Sequence, residues 1–248
     1  MERRALIVNG DDFGQGPGVN RGVIRAFEEG ILTSASAMVR WPAAHEAAGY
    51  ARSNPSLGVG LHVDLGEWAF RDGGWVALYE VVPDEPEAVR REVVRQVETF
   101  QSLFDRDPTH LDSHQHRHRE EPVRTAMRMV SDDLGVPLRD HSPVRYCGAF
   151  YGQTGKGRSM PEWISVDSLV GLVEACGPGV TEIACHPGDG TDPPIPTMYK
   201  RERAIEVEAL CHPRVGAAVE ESNILLGSYA DLVGTVHRGA AGSDLAAP

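Results

Sequence analysis

The chain has 248 residues, and its 24 Lys and Arg residues against 36 Asp and Glu residues give a formal net charge of −12 at pH 7. Nucleic acid and anionic membranes are poor partners for such a chain, because binding to phosphate needs clustered positive charge. Hydrophobic residues make up 41% of the chain and charged residues 24%, as in ordinary soluble globular proteins. The length fits two small domains or one large α/β unit.

Neither a targeting signal nor a disulfide framework is expected. The first apolar run, at residues 5–8, is too short for a signal peptide. No segment reaches the roughly 18 uninterrupted apolar residues of a membrane span. The cysteines are scattered and form no C-x-x-C motif, which is typical of reduced thiols. We therefore expect a cytoplasmic protein.

Short apolar runs alternate along the chain with segments of helical periodicity. Strands are predicted at residues 5–8, 34–39, 57–65, 109–113, 137–139, 180–185 and 224–226. Helices are predicted from apolar residues spaced by three and four at 19–27, 43–52, 89–104, 122–134, 166–176, 201–210 and 215–221. The stretch from 66 to 86 is predicted to be irregular.

This alternation indicates a parallel sheet covered by helices, either a closed barrel or an open doubly wound sheet. We favour an irregular (β/α) barrel of about seven parallel strands, because polar residues follow strands along the whole chain and would converge only on a single rim. One domain is predicted over residues 1–236, and the small and polar residues 237–248 are expected to form a flexible tail.

Asp11 and Asp12 follow directly on the first predicted strand. Two adjacent carboxylates repel each other unless a cation stabilises them, so the pair favours a metal ion. The alternative is that one of them caps the following helix, which is an ordinary role for Asp.

His62 and Asp64 lie on one face of the third predicted strand, together with Gly58 and Gly60. The two glycines leave room on that face for a ligand or for closely packed side chains. A single histidine on a strand is more often a satisfied core residue than a ligand, so His62 alone would decide nothing.

Residues 109–118, THLDSHQHRH, contain four histidines and an aspartate at even spacings. As a strand, this segment would point His110, Asp112, His114 and His116 the same way. Histidine is the commonest nitrogen ligand for transition metals, and an aspartate can orient a ligating imidazole by accepting its other N–H. A metal site is therefore predicted here.

His186 ends another predicted strand and is followed by two turn-forming residues, so it is a candidate acid or base. It does not form a nucleophilic dyad with Cys185, because neighbouring strand residues face opposite sides. Two glycine-rich segments, at 14–18 and 152–157, lack the surroundings or the spacing of phosphate-binding loops.

Taken together, NGDDFG at 9–14, GLHVDL at 60–65, THLDSHQH at 109–116 and CHPG at 185–188 resemble the YdjC/ChbG-like carbohydrate deacetylases in order and spacing over nearly the whole chain. The aspartate pair and the LDSHxH element are specific in combination. The resemblance implies a barrel related to the polysaccharide deacetylases. It also implies metal-dependent removal of N-acetyl groups from small amino-sugar oligosaccharides, so a small acetylated sugar is the expected partner.

The same resemblance implies that Asp12, His62 and His114 are metal ligands, that Asp11 is the catalytic base and that His186 is the proton donor. Two imidazoles and a carboxylate would leave positions open for water and substrate, as a catalytic metal needs. The metal would activate a water and polarise the acetamide carbonyl, Asp11 would take the water's proton, and His186 would protonate the departing amine.

Several alternatives stay open at this point. His116 or His118 could replace His114 as a ligand, and Arg139 could reach the site from the end of its strand. Zinc, magnesium, cobalt and nickel are not distinguishable by sequence, although nitrogen donors favour the transition metals. Aromatic residues at 68, 70 and 75 could stack on a sugar or pack under their loop.

The function also has alternatives. The chain could hydrolyse another amide or ester with the same metal site, or bind metal or sugar without catalysis. Asp11, a carboxylate beyond the apparent ligand set, disfavours the non-catalytic reading. No sequence argument bears on oligomeric state, and a homodimer is the default expectation.

Overall fold

The computed structural model describes residues 3–81, 85–191 and 197–233. The predicted tail, 237–248, lies outside these residues. The strands are β1 Arg4–Phe13, β2 Ser34–Ala37, β3 Gly58–Val63, β4 Gly66–Arg71, β5 Gly74–Glu80, β6 Leu111–Ser113, β7 Arg145–Cys147, β8 Gly179–Cys185 and β9 Leu225–Leu226. The helices are α1 Pro17–Glu29, α2 Ala44–Ser53, α3 Pro86–Phe104, α4 Val123–Leu134, α5 Val166–Glu174, α6 Arg201–Leu210 and α7 Pro213–Glu221.

A parallel sheet forms the centre of the molecule, with strand order β6-β3-β2-β1-β8-β7 and with β9 paired to the start of β1. Leu138 pairs with Leu111 and so extends the sheet beyond β6. The chain then reaches β7, at the opposite edge, by Arg145. The seven residue steps from Leu138 to Arg145 span at most about 25 Å. The edge of the sheet beside β6 and the edge formed by β7 must therefore curve towards each other. The predicted irregular barrel is confirmed as a curled, incompletely closed sheet.

The strands at the centre of the sheet are buried on both faces because helices pack outside and side chains fill the inside. On α3, the predicted apolar stripe that ends at Phe100 and Phe104 is buried, and these two rings stack at 4.3 Å. Inside the curl, a Cβ on Gly60 would lie 2.4 Å from the imidazole of His110. The glycine therefore lets a histidine lie across the neighbouring strand. In the described part of the chain, no helix has the length and apolar character needed to cross a membrane.

Two elements differ from the sequence predictions. The stretch predicted to be irregular contains the antiparallel β4–β5 hairpin, which stands apart from the main sheet. Most of β5 is exposed, so it lacks the alternation of buried and exposed residues that marks a strand. β7 was not predicted, and the strand predicted at 137–139 is only the single bridge at Leu138.

Candidate metal centre and active site

The carboxyl ends of the parallel strands meet at one rim of the curled sheet. Asp11 and Asp12 lie at the end of β1, His62 near the end of β3, and His114 directly after β6, while His186 follows β8. All five side chains line one cavity of about 560 Å³. The structure therefore brings together the five residues that the motifs singled out.

The end of β1 is irregular, and this irregularity explains how neighbouring aspartates reach the same cavity. Asp12 has a φ of 68°, in the left-handed region that Asp enters more readily than most residues. The pairing of β1 with β2 shifts register between Gly10 and Phe13. In a regular strand, Asp11 and Asp12 would point to opposite faces.

Asp12, His62 and His114 form a buried group in which one ligand atom from each residue lies within 4.8 Å of the others. Asp12 Oδ1 lies 3.0 Å from His114 Nδ1 and 3.4 Å from His62 Nε2. Although fully buried, this oxygen accepts no hydrogen bond of acceptable geometry from the residues that the structure describes. Two imidazoles and one unsatisfied carboxylate oxygen fit a divalent cation.

A carboxylate accepts the second N–H of each imidazole in this group. Asp112 Oδ1 lies 2.7 Å from His62 Nδ1, and Glu67 Oε2 lies 3.1 Å from His114 Nε2. These bonds fix the tautomers so that the remaining nitrogens face Asp12. Burial alone would lower the pKa of His62, but the negative charges of Asp112 and Asp11 outweigh it and raise this pKa to about 9, so a cation would displace a proton from this imidazole when it binds.

Asp11 is held by a buried arginine. Arg139 Nη1 and Nη2 each donate to the Asp11 carboxylate at 2.8 Å, and Asn9 Nδ2 donates to it at 2.8 Å. Burial would raise the pKa of Asp11, but the charge of Arg139 outweighs burial and lowers it. Arg139 thus reaches the site, as the sequence alternative proposed, but from the residue after the single bridge at Leu138.

His186 lies beside Asp11, with its Nε2 3.9 Å from Asp11 Oδ2. The rings of Tyr151 and Tyr199 lie 5.2 and 5.5 Å from the imidazole. Within the described residues, His186 Nδ1 has no hydrogen-bond partner, and burial lowers the pKa of His186 to about 4. The resting imidazole is therefore neutral at pH 7.

Arg203 and Glu67 are site residues that the sequence analysis missed. From α6, Arg203 Nη2 donates to Asp12 Oδ2 at 2.6 Å, and its Nη1 donates to the His186 carbonyl at 3.4 Å. Glu67 is the second residue of β4, in the hairpin that was not predicted. Arg203 and Asp12 are far apart in the sequence, as are Glu67 and His114, and no motif links either pair. Only the folded chain shows these contacts.

The prediction that His110, Asp112, His114 and His116 all point the same way is wrong beyond Ser113. The strand ends there, and a 3-10 turn, His114–Arg119, follows, in which Gln115 and His116 have positive φ. The sequence reads as a strand because even spacing does not reveal a change of backbone conformation.

The other histidines of this segment have partners outside the metal-capable group. His110 Nε2 lies 2.9 Å from Ser36 Oγ, and its ring stacks on Tyr229. His116 Nε2 lies 3.1 Å from the Tyr146 hydroxyl, and His118 lies between Ser113 and Asp140. Among the residues that the structure describes, His114 is the member of this segment that can share a cation with Asp12.

Comparison with known proteins places the chain in a family. The model of the YdjC-like protein family matches residues 5–221. The chain is 30% identical over 265 residues to the chitooligosaccharide deacetylase of Serratia marcescens, with 92% of this chain and 99% of that protein covered. It is 31% identical over 248 residues to the carbohydrate deacetylase of Geobacillus stearothermophilus, with 91% and 97% covered.

Solved structures agree with the fold. A protein of Enterococcus faecalis V583, described provisionally as a cellobiose-phosphate cleavage protein, is 26% identical and superposes with a TM-score of 0.75 over 94% of this chain and all of that chain. A family 4 carbohydrate esterase from Streptomyces lividans, in complex with acetate, gives a TM-score of 0.54 at 12% identity, with 92% and 93% covered. The resemblance inferred from the motifs is thus confirmed: this chain belongs to the YdjC-like protein family.

Proposed function

We propose that this chain is a metal-dependent carbohydrate deacetylase that removes N-acetyl groups from small amino-sugar oligosaccharides. The deacetylase class predicted from the sequence agrees with the names of its relatives, a chitooligosaccharide deacetylase and a carbohydrate deacetylase. The observation that carries the proposal is the unsatisfied Asp12 Oδ1 between two imidazole nitrogens, next to a second carboxylate, Asp11.

Asp12, His62 and His114 would hold a divalent cation, and their two nitrogen donors favour zinc, cobalt or nickel over magnesium. Such an ion would supply Lewis-acid polarisation of the amide carbonyl and would lower the pKa of a water. Asp112 and Glu67 support this role because they orient the two imidazoles.

Asp11 would accept a proton from the attacking water. Arg139 contacts both of its oxygens and so fixes the orientation of the carboxylate at the cavity wall. Because Arg139 also keeps Asp11 ionised, the base is in the form that can take a proton at neutral pH.

His186 would give a proton to the amine as the carbon–nitrogen bond breaks. Since burial lowers its pKa to about 4, the imidazole must receive that proton during the reaction. Asp11 Oδ2, at 3.9 Å from His186 Nε2, is the nearby group that has just accepted one. Once these two atoms approach to hydrogen-bond distance, the proton taken from water would pass from Asp11 Oδ2 to His186 Nε2 and on to the leaving amine, and both groups would return to their starting states.

The proposal is tested by measuring acetate released from N-acetylglucosamine and its β-1,4-linked oligomers. We expect Asp11→Asn to lower turnover by about 10² to 10⁴-fold, the usual contribution of a general base. Bound metal, measured on the dialysed protein, should be unchanged because Asp11 is not among the proposed ligands.

Asp64→Asn is the matched control, since Asp64 is a buried carboxylate that contacts Tyr79 and Arg40. If Asp11→Asn also lost its metal, the division between base and ligand would be wrong. If the wild-type protein released no acetate yet hydrolysed other amides or esters, the alternative hydrolase function would replace this one.

Other expectations from the sequence stay predictions. They are a cytoplasmic location, a homodimer, no binding to nucleic acid or membranes, and a single domain over residues 1–236. The net charge of −12 supports the exclusion of phosphate-rich partners.

A further inference from the structure

The β4–β5 hairpin carries an aromatic face beside the cavity. Phe70 and Trp75 are directly paired across the two strands, with ring centroids 5.8 Å apart at 75°. Trp68 lies two residues before Phe70 and so shares its face. Trp75 is 55% exposed, although a Trp ring is usually covered in a soluble protein. Because Trp75 is both exposed and part of the cavity lining, its ring is placed to contact a bound ligand.

The hairpin is attached to the turn that carries His114. The Trp68 backbone N–H donates to Gln115 Oε1 at 3.0 Å, and Gln115 Nε2 donates to the Trp68 carbonyl at 2.9 Å. One residue earlier, Glu67 contacts His114 itself. These contacts fix the position of the aromatic face relative to the three candidate ligands.

Trp75 lines the same cavity as Asp12. Phe70, its cross-strand neighbour, is three residues beyond Glu67, or roughly 10 Å at the rise of a strand. This distance exceeds the width of one pyranose ring. Trp68 is less accessible because Arg117 lies over its ring at 4.8 Å.

We propose that Trp75 forms a distal sugar subsite, on which the ring adjoining the acetylated residue stacks. This inference rests on the proposed deacetylase function and adds which residue of this chain binds the second sugar ring. The faces of a pyranose carry C–H groups that pack on an aromatic ring, whereas its rim hydroxyls stay in water. A neutral sugar therefore suits an exposed Trp whose ring borders the cavity.

The test compares Trp75→Ala with the wild-type protein on N-acetylglucosamine and on its β-1,4-linked disaccharide. We expect the KM for the disaccharide to rise about tenfold, in keeping with the loss of one aromatic contact, and kcat to change little. The KM for the monosaccharide should change by less than about twofold. Trp75→Phe should restore most of the affinity for the disaccharide.

Trp163→Ala is the matched control, because Trp163 is also exposed, at 41%, and does not line the cavity. Equal effects of Trp75→Ala on both sugars, or no effect, would overturn the subsite. Isothermal titration calorimetry with the disaccharide measures binding without turnover. If the wild-type protein deacetylated neither sugar, the proposed function would fail, and weaker binding in Trp75→Ala would still decide the subsite.

Discussion

At the scale of single residues, Asp11 and Asp12 are neighbours with different partners. Arg139 occupies both oxygens of Asp11, whereas Arg203 contacts only Oδ2 of Asp12 and leaves Oδ1 facing two imidazole nitrogens. Burial would raise the pKa of Asp12, but Arg203 and His114 outweigh it and lower this pKa well below its usual range. The two carboxylates are thus both ionised, and only one presents an unsatisfied oxygen to a cation.

The carboxylate that orients His62 gives a prediction for metal affinity. Asp112→Asn should weaken binding of zinc by about 10- to 100-fold, because carboxylates that orient metal-binding histidines typically contribute this much. Isothermal titration calorimetry on the metal-free protein measures the change. Asp140→Asn is the matched control, because Asp140 contacts a histidine outside the candidate group, His118. Equal losses in the two variants would contradict a specific role for Asp112.

The sequence predicted the meeting of Asp11, Asp12, His62, His114 and His186 because each lies at a strand end, and parallel strands align those ends. It did not predict Glu67 or Arg203, which reach the site from a hairpin and from a helix. The sequence also did not predict where the side chains point after Ser113. Positive φ at Gln115 and His116 ends the strand-like alternation of side chains there.

At the scale of elements, α3 is fixed to the rim of the sheet by polar contacts as well as by its apolar stripe. Gln96 accepts from the Asp64 N–H at 2.9 Å and donates to the Asp64 carbonyl at 2.7 Å. Glu92 accepts from Gln96 at 2.7 Å and from Arg40 and Arg95 at 3.2 and 2.6 Å. This carboxylate therefore joins α3 to the segment that follows β2.

Glu92→Gln should lower thermal stability at neutral pH and do so less in acid. Burial would raise the pKa of Glu92, but its bonds to Arg95 and Gln96 outweigh burial and lower this pKa below its ordinary 4.5. The wild-type protein therefore has the full contribution above pH 4.5 and loses it as pH falls through the folded-state pKa.

Thermal melts of the wild-type protein and of Glu92→Gln, from neutral pH to below pH 4.5, measure the difference in Tm between them. Their Tm values should converge in acid, whereas Glu98→Gln, at an exposed position on the same helix, should follow the wild-type curve. A Tm difference that grows in acid would contradict the assignment.

The sequence predicted helices and central strands well because burial imposes a period on them. Apolar residues of α3 recur every three or four positions, and β1 has a continuous apolar run, residues 5–8, before its polar end. The β4–β5 hairpin escaped prediction because it packs at the rim with one strand largely exposed. Its turn at residues 71–74 was the available signal, since Asp72 and Gly73 both have positive φ.

At the scale of the whole molecule, the inside of the curled sheet holds more negative than positive charge. Arg139 is fully buried and contacts Asp11, Asp112 and Glu182 at 2.8, 2.7 and 2.5 Å. One guanidinium therefore serves three carboxyl groups. Burial, together with the charges of Asp11 and Asp112, outweighs the charge of Arg139 and raises the pKa of Glu182. A cation at the neighbouring candidate site would offset the excess charge.

Metal binding should therefore be coupled to folding. Asp12, His62 and His114 are far apart in the chain and meet only when β1, β3 and β6 assemble, so the unfolded chain has no equivalent site. At a zinc concentration of 100 Kd, binding should add about 2.7 kcal/mol to the free energy of unfolding. For a protein of this size, that corresponds to a Tm rise of about 5–10 °C, which a chelator should reverse.

Calorimetry of the wild-type protein, His114→Ala and Asp11→Asn with and without zinc distinguishes metal ligands from residues that only lie beside the metal site. The Tm rise should disappear in His114→Ala, which lacks one candidate ligand, and persist in Asp11→Asn, which keeps all three. Because both residues line the same cavity, a general effect of altering the site would reduce the rise in both variants. A full rise in His114→Ala would mean that zinc stabilises the protein from another position, and the three-ligand centre would then be wrong.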